Sequence, residues 1–137
     1  MRNVLPGSLW IGNAHDARDI STVLSSGIEA IVDLAPEEPP VQITRELVYL
    51  RIPICDGDNS SELITTAINA IHTLVSQKIP TLVTYGAGMS RSPAIVAAAL
   101  VRDAADSFED ILAEITAGHP HDVSTVLLES VKKCLNT

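Results

Sequence analysis

At 137 residues the chain is long enough to bury an ordinary core as one domain, residues 1–137, but aromatics are 3% of it, so that core must be built from Ala, Val, Ile and Leu. The formal net charge of -8 argues against nucleic acid as a general partner and against an anionic membrane surface, because both call for a cationic face. Cys55 and Cys134 make no disulfide framework, the first residues lack the apolar run of a signal peptide, and the longest apolar stretch, 94–101, is too short to span a bilayer. A cytoplasmic protein is the expectation.

Residues 4–12 read as a short hairpin or extended entry, with Pro6-Gly7 at the turn and Leu9, Trp10 and Ile11 in the strand. A helix is predicted over 13–26: Ile20, Val23 and Leu24 form an i, i+3, i+4 apolar face and Gly27 stops it. The nearly continuous apolar run 28–34 suits a buried strand, and 36–40, with three prolines and Glu37-Glu38, a solvated loop. A further strand covers 47–54 and a polar loop 55–60. Ser60 or Ser61 caps a helix over about 62–77, whose apolar side includes Ile64, Ala67, Ile68, Ile71 and Leu74. A strand over 81–83 precedes a helix opened by Pro93; Ser107 caps another over 108–117, and the last runs from about 123 to 135. Strands alternating with helices predict an α/β fold, a central mostly parallel sheet flanked by helices.

The segment after the 81–83 strand carries the chemistry. It reads Thr84-Tyr85-Gly86-Ala87-Gly88-Met89-Ser90-Arg91-Ser92-Pro93 and runs directly into an apolar helix. A helix start presents unpaired N–H groups and the positive end of the helix dipole. Gly86 and Gly88 permit backbone turns that a β-carbon would obstruct, and Ser92 ahead of Pro93 is a good N-cap. Arg91 offers a forked grip on two oxygens of a phosphate dianion. Between Pro53 and Val101 the lysines and arginines are Lys78 and Arg91, so an anion site here has to be local. A nucleotide-binding P-loop would need Gly-Lys-Ser/Thr where Met89-Ser90-Arg91 stands, and a dinucleotide loop a third glycine where Arg91 stands. A hydrolase elbow would need glycine on both sides of the serine.

The segment resembles the active-site loop of the protein tyrosine phosphatases, the compact dual-specificity branch above all, which has His-Cys, five residues, then Arg-Ser. Residues 86–93 match that pattern, while Thr84-Tyr85 stand where His-Cys would be. Leu9-Trp10-Ile11-Gly12-Asn13-Ala14, the strand at 27–34 and Tyr49-Leu50-Arg51-Ile52-Pro53-Ile54-Cys55-Asp56 resemble successive parts of the same family, in its order, over most of the chain. The resemblance implies a compact dual-specificity phosphatase-like fold. In active members a thiolate attacks phosphorus while loop amides and the arginine stabilise the transition-state oxygens. An aspartic acid protonates the leaving alcohol, and the serine after the arginine helps the thiolate leave. By this resemblance Gly86, Ala87, Gly88, Met89, Ser90 and Arg91 hold phosphate, Ser92 is the assisting serine, Asp56 is the acid with Asp58 as second choice, and Tyr85 occupies the nucleophile's place. The stretch 119–124 departs from the family, lacking its Arg-Pro and Pro-Asn.

A phenol, whose ordinary pKa is about 10, is protonated at neutral pH and is several ångströms longer than a thiol. The implied protein is therefore a pseudophosphatase that needs no cofactor or metal and binds a phosphorylated protein, a small phosphate ligand or another partner. The alternatives are an active phosphomonoester hydrolase, with another group attacking or with Tyr85 not the native residue, and a serine hydrolase using Ser90 or Ser92 with His119. His119 and His121 lack further ligands at metal-binding spacing. Cys55 reads as a strand-end thiol rather than a substitute nucleophile.

Overall fold

The computed structural model describes residues 1–35, 39–41, 47–55, 59–86, 92–117 and 125–135. The chain enters through a hairpin of β1 (Arg2–Leu5) and β2 (Leu9–Asn13). Its turn is Leu5-Pro6-Gly7-Ser8: the Ser8 N–H donates to the Leu5 carbonyl at 2.9 Å and Gly7 sits at φ +70°, the left-handed geometry that a type II turn requires after proline.

The single helix expected over 13–26 is two. Helix α1 (Ala14–Arg18) opens with a capping box in which the Asn13 side chain accepts from the Asp16 N–H and the Asp16 carboxylate from the Asn13 N–H, at 3.0 and 2.9 Å. It stops at Asp19 (φ -81°, ψ 73°), whose carboxylate accepts from the Thr22 N–H at 3.3 Å and the Thr22 hydroxyl at 2.7 Å, starting α2 (Ile20–Ser25). An aspartate that bonds the backbone ahead of it competes with helix continuation, and here it wins. The break resets the helical phase: Val23 is buried as expected, but Leu24 is 40% exposed.

Three more strands, β3 (Ala30–Asp33), β4 (Val48–Arg51) and β5 (Thr81–Tyr85), complete a sheet in the order β1-β2-β5-β3-β4, parallel except at β1. The mostly parallel α/β architecture is the one expected. Alternating side chains divide the core between the two faces. On one face Ile31 and Leu82 meet Ala17 and Val23 of α1 and α2, with Trp10 and Tyr49 at the margin. On the other, Leu9, Ile11, Val32, Leu34 and Val83 meet α3 (Ser61–Ser76), α4 (Ser92–Val101), α5 (Phe108–Thr116) and α6 (Thr125–Leu135). Helix α4 is apolar all round, and 93–99 are all buried. Such a helix belongs inside a layer, and its alanines allow α3, α5 and α6 to pack closely around it.

Ser60 and Ser107 cap α3 and α5 as expected, their hydroxyls accepting from Leu63 N–H (3.1 Å) and Asp110 N–H (3.2 Å). Strand β5 extends to Tyr85 rather than ending at Val83, and α4 includes Ser92 as its first residue.

Candidate functional site

In an open parallel sheet, ligands bind outside the carboxyl ends of the strands, where neighbouring strands send their connections to opposite faces. Here β2 runs into α1 on one face while its neighbour β5 runs toward α4 on the other. The switch point lies between the ends of β2 and β5, where Asn13 pairs with Tyr85. Tyr85 is the last residue of β5, half-buried, and packs against the larger core cluster; Gly86 behind it is buried.

The structure thus places the two ends of the expected phosphate loop, Tyr85-Gly86 closing the strand and Ser92 opening the helix, at the switch point. Ala87, Gly88, Met89, Ser90 and Arg91 lie outside the described residues, as do Asp56, Asp58, His119 and His121. The ends of the loop that carries Asp56 are described. Asn59 closes it by accepting the Cys55 N–H at 2.7 Å and donating its amide to the Cys55 carbonyl at 2.8 Å. That loop follows β4, whose chain continues along β3 through Ile52 N–H to Asp33 carbonyl (2.9 Å) and Ile54 N–H to Leu34 carbonyl (3.3 Å). Both loops therefore leave the sheet from its carboxyl edge.

Beneath this edge is a polar layer that sequence reasoning missed. Asp33, 3% exposed, is the register partner of both Thr84 and Arg51. Its carboxylate accepts from the Tyr49 hydroxyl at 2.5 Å and from the Ala35 N–H at 2.9 Å, and the Tyr49 oxygen in turn accepts from the Val41 N–H at 3.2 Å. Arg51 donates to the Ala35 carbonyl at 3.1 Å. Burial, then the bond to Asp33, pushes the Tyr49 phenol above its ordinary pKa. The Thr84 hydroxyl is fully buried and, among the described residues, has no hydrogen-bond partner. The available signal was an aspartate inside the apolar run Ala30-Ile31-Val32-Asp33-Leu34-Ala35, and one of just two tyrosines in the chain. Among the described residues, no three His, Cys, Asp or Glu side chains come together as a metal site, and no helix is long and apolar enough to cross a membrane.

A family model described as "Polymorphic toxin system, DSP-PTPase phosphatase" matches residues 9–105, from β2 through α4 and including both loops. The chain belongs to the DSP-PTPase phosphatase family. Dual specificity protein phosphatase 15 of Homo sapiens is 33% identical over 119 residues, covering 85% of this chain. The chain spans 39% of the length of that relative. The crystal structure of human DUSP28 superposes with a TM-score of 0.84 at 21% identity, covering 99% of this chain and 96% of that one. The human tyrosine phosphatase-like serine/threonine/tyrosine-interacting protein superposes with a TM-score of 0.83 at 20% identity over 97% of this chain and 93% of that one. The DSP-PTPase fold expected from the resemblance is thus the fold observed.

Proposed function

We propose that this single-domain member of the DSP-PTPase family has lost the nucleophile and works as a non-catalytic module that binds a phosphorylated ligand or a partner protein. The observation that carries this reading is Tyr85 at the carboxyl end of β5, half-buried against the core at the position where the family resemblance puts the attacking cysteine. A ring engaged in packing serves the fold, and its length opposes an in-line approach to phosphorus. In the proposal the cradle consists of the main-chain N–H groups of 86–91, the start of α4 and the Arg91 guanidinium, which suit an oxyanion as long as the Tyr85 ring stays packed against the core and out of the loop. In this reading the acid assigned by the resemblance, Asp56 or as second choice Asp58, has no leaving group to protonate. One structural relative, the human tyrosine phosphatase-like serine/threonine/tyrosine-interacting protein, joins the same fold to binding.

The test is hydrolysis of a generic aryl phosphate by the unaltered chain beside Tyr85→Cys. The tyrosine protein is expected at background, and the cysteine variant higher by up to the order of 10⁶ that removing a nucleophile costs in another enzyme class. Turnover by the tyrosine protein at the rate of the cysteine variant would establish the second reading, an active phosphomonoester hydrolase. That reading is favoured by the kinship to dual specificity phosphatases over residues 9–105.

A further inference from the structure

We propose that the pole of the molecule opposite Tyr85 carries a docking groove for a basic, apolar-anchored segment of a partner protein. Two adjoining clefts of about 320 and 160 Å³ share Leu5, Leu100, Ile111 and Glu114. They form where edge strand β1 ends and α4 stops at Val101, with six residues between it and the start of α5 at Phe108. Leu5 pairs with Leu9, which pairs with Thr81, so the groove is one length of β5 from Tyr85, roughly 13 Å. It is a separate surface, and the inference stands whatever Tyr85 does.

The floor is aliphatic, from β1, α3, α4 and α5, and suits an apolar anchor side chain. The rim carries three carboxylates, Asp103, Asp106 and Glu114. Asp103 is engaged at 2.9 Å by His72, which ties α3 to the end of α4, and Arg2 lies at the far end of the smaller cleft. Asp106 and Glu114 are exposed and face the cleft from either side of the start of α5. The occupant follows from charge complementarity. An acidic peptide or a nucleic acid would meet these carboxylates and a chain of net charge -8. A second copy paired isologously would set the same acidic rim against itself. A segment with aliphatic side chains on one face and Lys or Arg beside them satisfies both floor and rim, the rim charges mainly steering association and setting specificity.

The probe is a labelled synthetic helix-forming peptide with leucines at i, i+3, i+4 and i+7 and lysines elsewhere, followed by fluorescence anisotropy and by methyl NMR of the full chain. Saturable binding is expected, with shifts at the Leu5, Leu100 and Ile111 methyls, and weakening of about tenfold in Glu114→Lys and in Asp106→Lys. Glu129→Lys makes the same charge change on α6, outside the groove, and is expected to alter affinity less than twofold. Equal weakening by Glu129→Lys would reduce the effect to bulk charge and overturn the proposal. So would shifts confined to other methyls, or peptide-free self-association mapped to these same methyls.

Discussion

Removing the Tyr49 hydroxyl tests whether the buried polar layer holds the carboxyl edge of the sheet together. Tyr49→Phe keeps the ring, so its packing against the smaller core cluster survives. What goes is the 2.5 Å bond to the Asp33 carboxylate and the acceptor for the Val41 N–H. A hydrogen bond to a charged group contributes about 1.5–3 kcal/mol, and the carboxylate left behind is 3% exposed, so water cannot readily replace the lost donor. The expected loss is about 2 kcal/mol, a fall of roughly 8 °C in Tm for a domain of this size. Urea unfolding at neutral pH measures it. In a double-mutant cycle with Asp33→Ala the two sites should couple by about 1.5 kcal/mol, because each substitution removes the same bond. The pH dependence gives an independent reading. The folded-state pKa of Tyr49 is raised, so folding binds its proton more tightly; that contribution is complete below the ordinary value of 10.0 and is lost as pH climbs through the raised one. Wild type should therefore lose stability above pH 10 faster than Tyr49→Phe does. A loss below about 0.5 kcal/mol, or parallel alkaline profiles, would show that Asp33 is satisfied some other way.

Gly12→Ala is expected to destabilise by about 1–3 kcal/mol in the same unfolding assay, since the new Cβ would lie 2.7 Å from Asp16 Oδ2 and 2.9 Å from Met1 Cβ, and Asp16 cannot yield without opening the α1 capping box. The cost should shrink in an Asp16→Ala background; full additivity would contradict the clash. Thr84→Val is expected to raise stability by about 1 kcal/mol, because it replaces by a methyl group a fully buried hydroxyl that has no partner among the described residues. A lower denaturation midpoint in that variant would show that the hydroxyl is hydrogen-bonded in solution.

What was legible in the sequence was whatever short-range pattern determines. The type II turn needs Pro6 and Gly7 side by side, the caps need a serine three residues ahead of an N–H, and the apolar periodicity of α3 repeats within one helix. The break at Asp19 was missed because its neighbours carry a continuing helical pattern, and a local carboxylate bond outweighs that pattern. The Asp33–Tyr49 bond was out of reach for a different reason. It joins residues sixteen apart that meet through the β3–β4 register, which composition and spacing do not encode. Likewise, nothing local to Glu114 or Asp106 says that they border one cleft; that depends on where α4 ends against β1.

The same division bears on what kinship says about activity. A phosphate cradle is made mostly of main-chain N–H groups, so any chain that folds the strand, turn and helix in this way has a frame to build it on. Superposition at a TM-score of 0.84 with 21% identity reports that frame and is insensitive to one side chain within it. Catalysis by nucleophilic attack is the opposite case, since it needs one atom of the right size and basicity at the strand end and the fold cannot supply a substitute. With a phenol at position 85, β5 pairs in register with β2 and β3, 93–99 of α4 are buried, and the polar layer lies beside Thr84. Belonging to the family and performing its reaction are therefore separable properties, and in the function proposed above the residue on which they part is Tyr85.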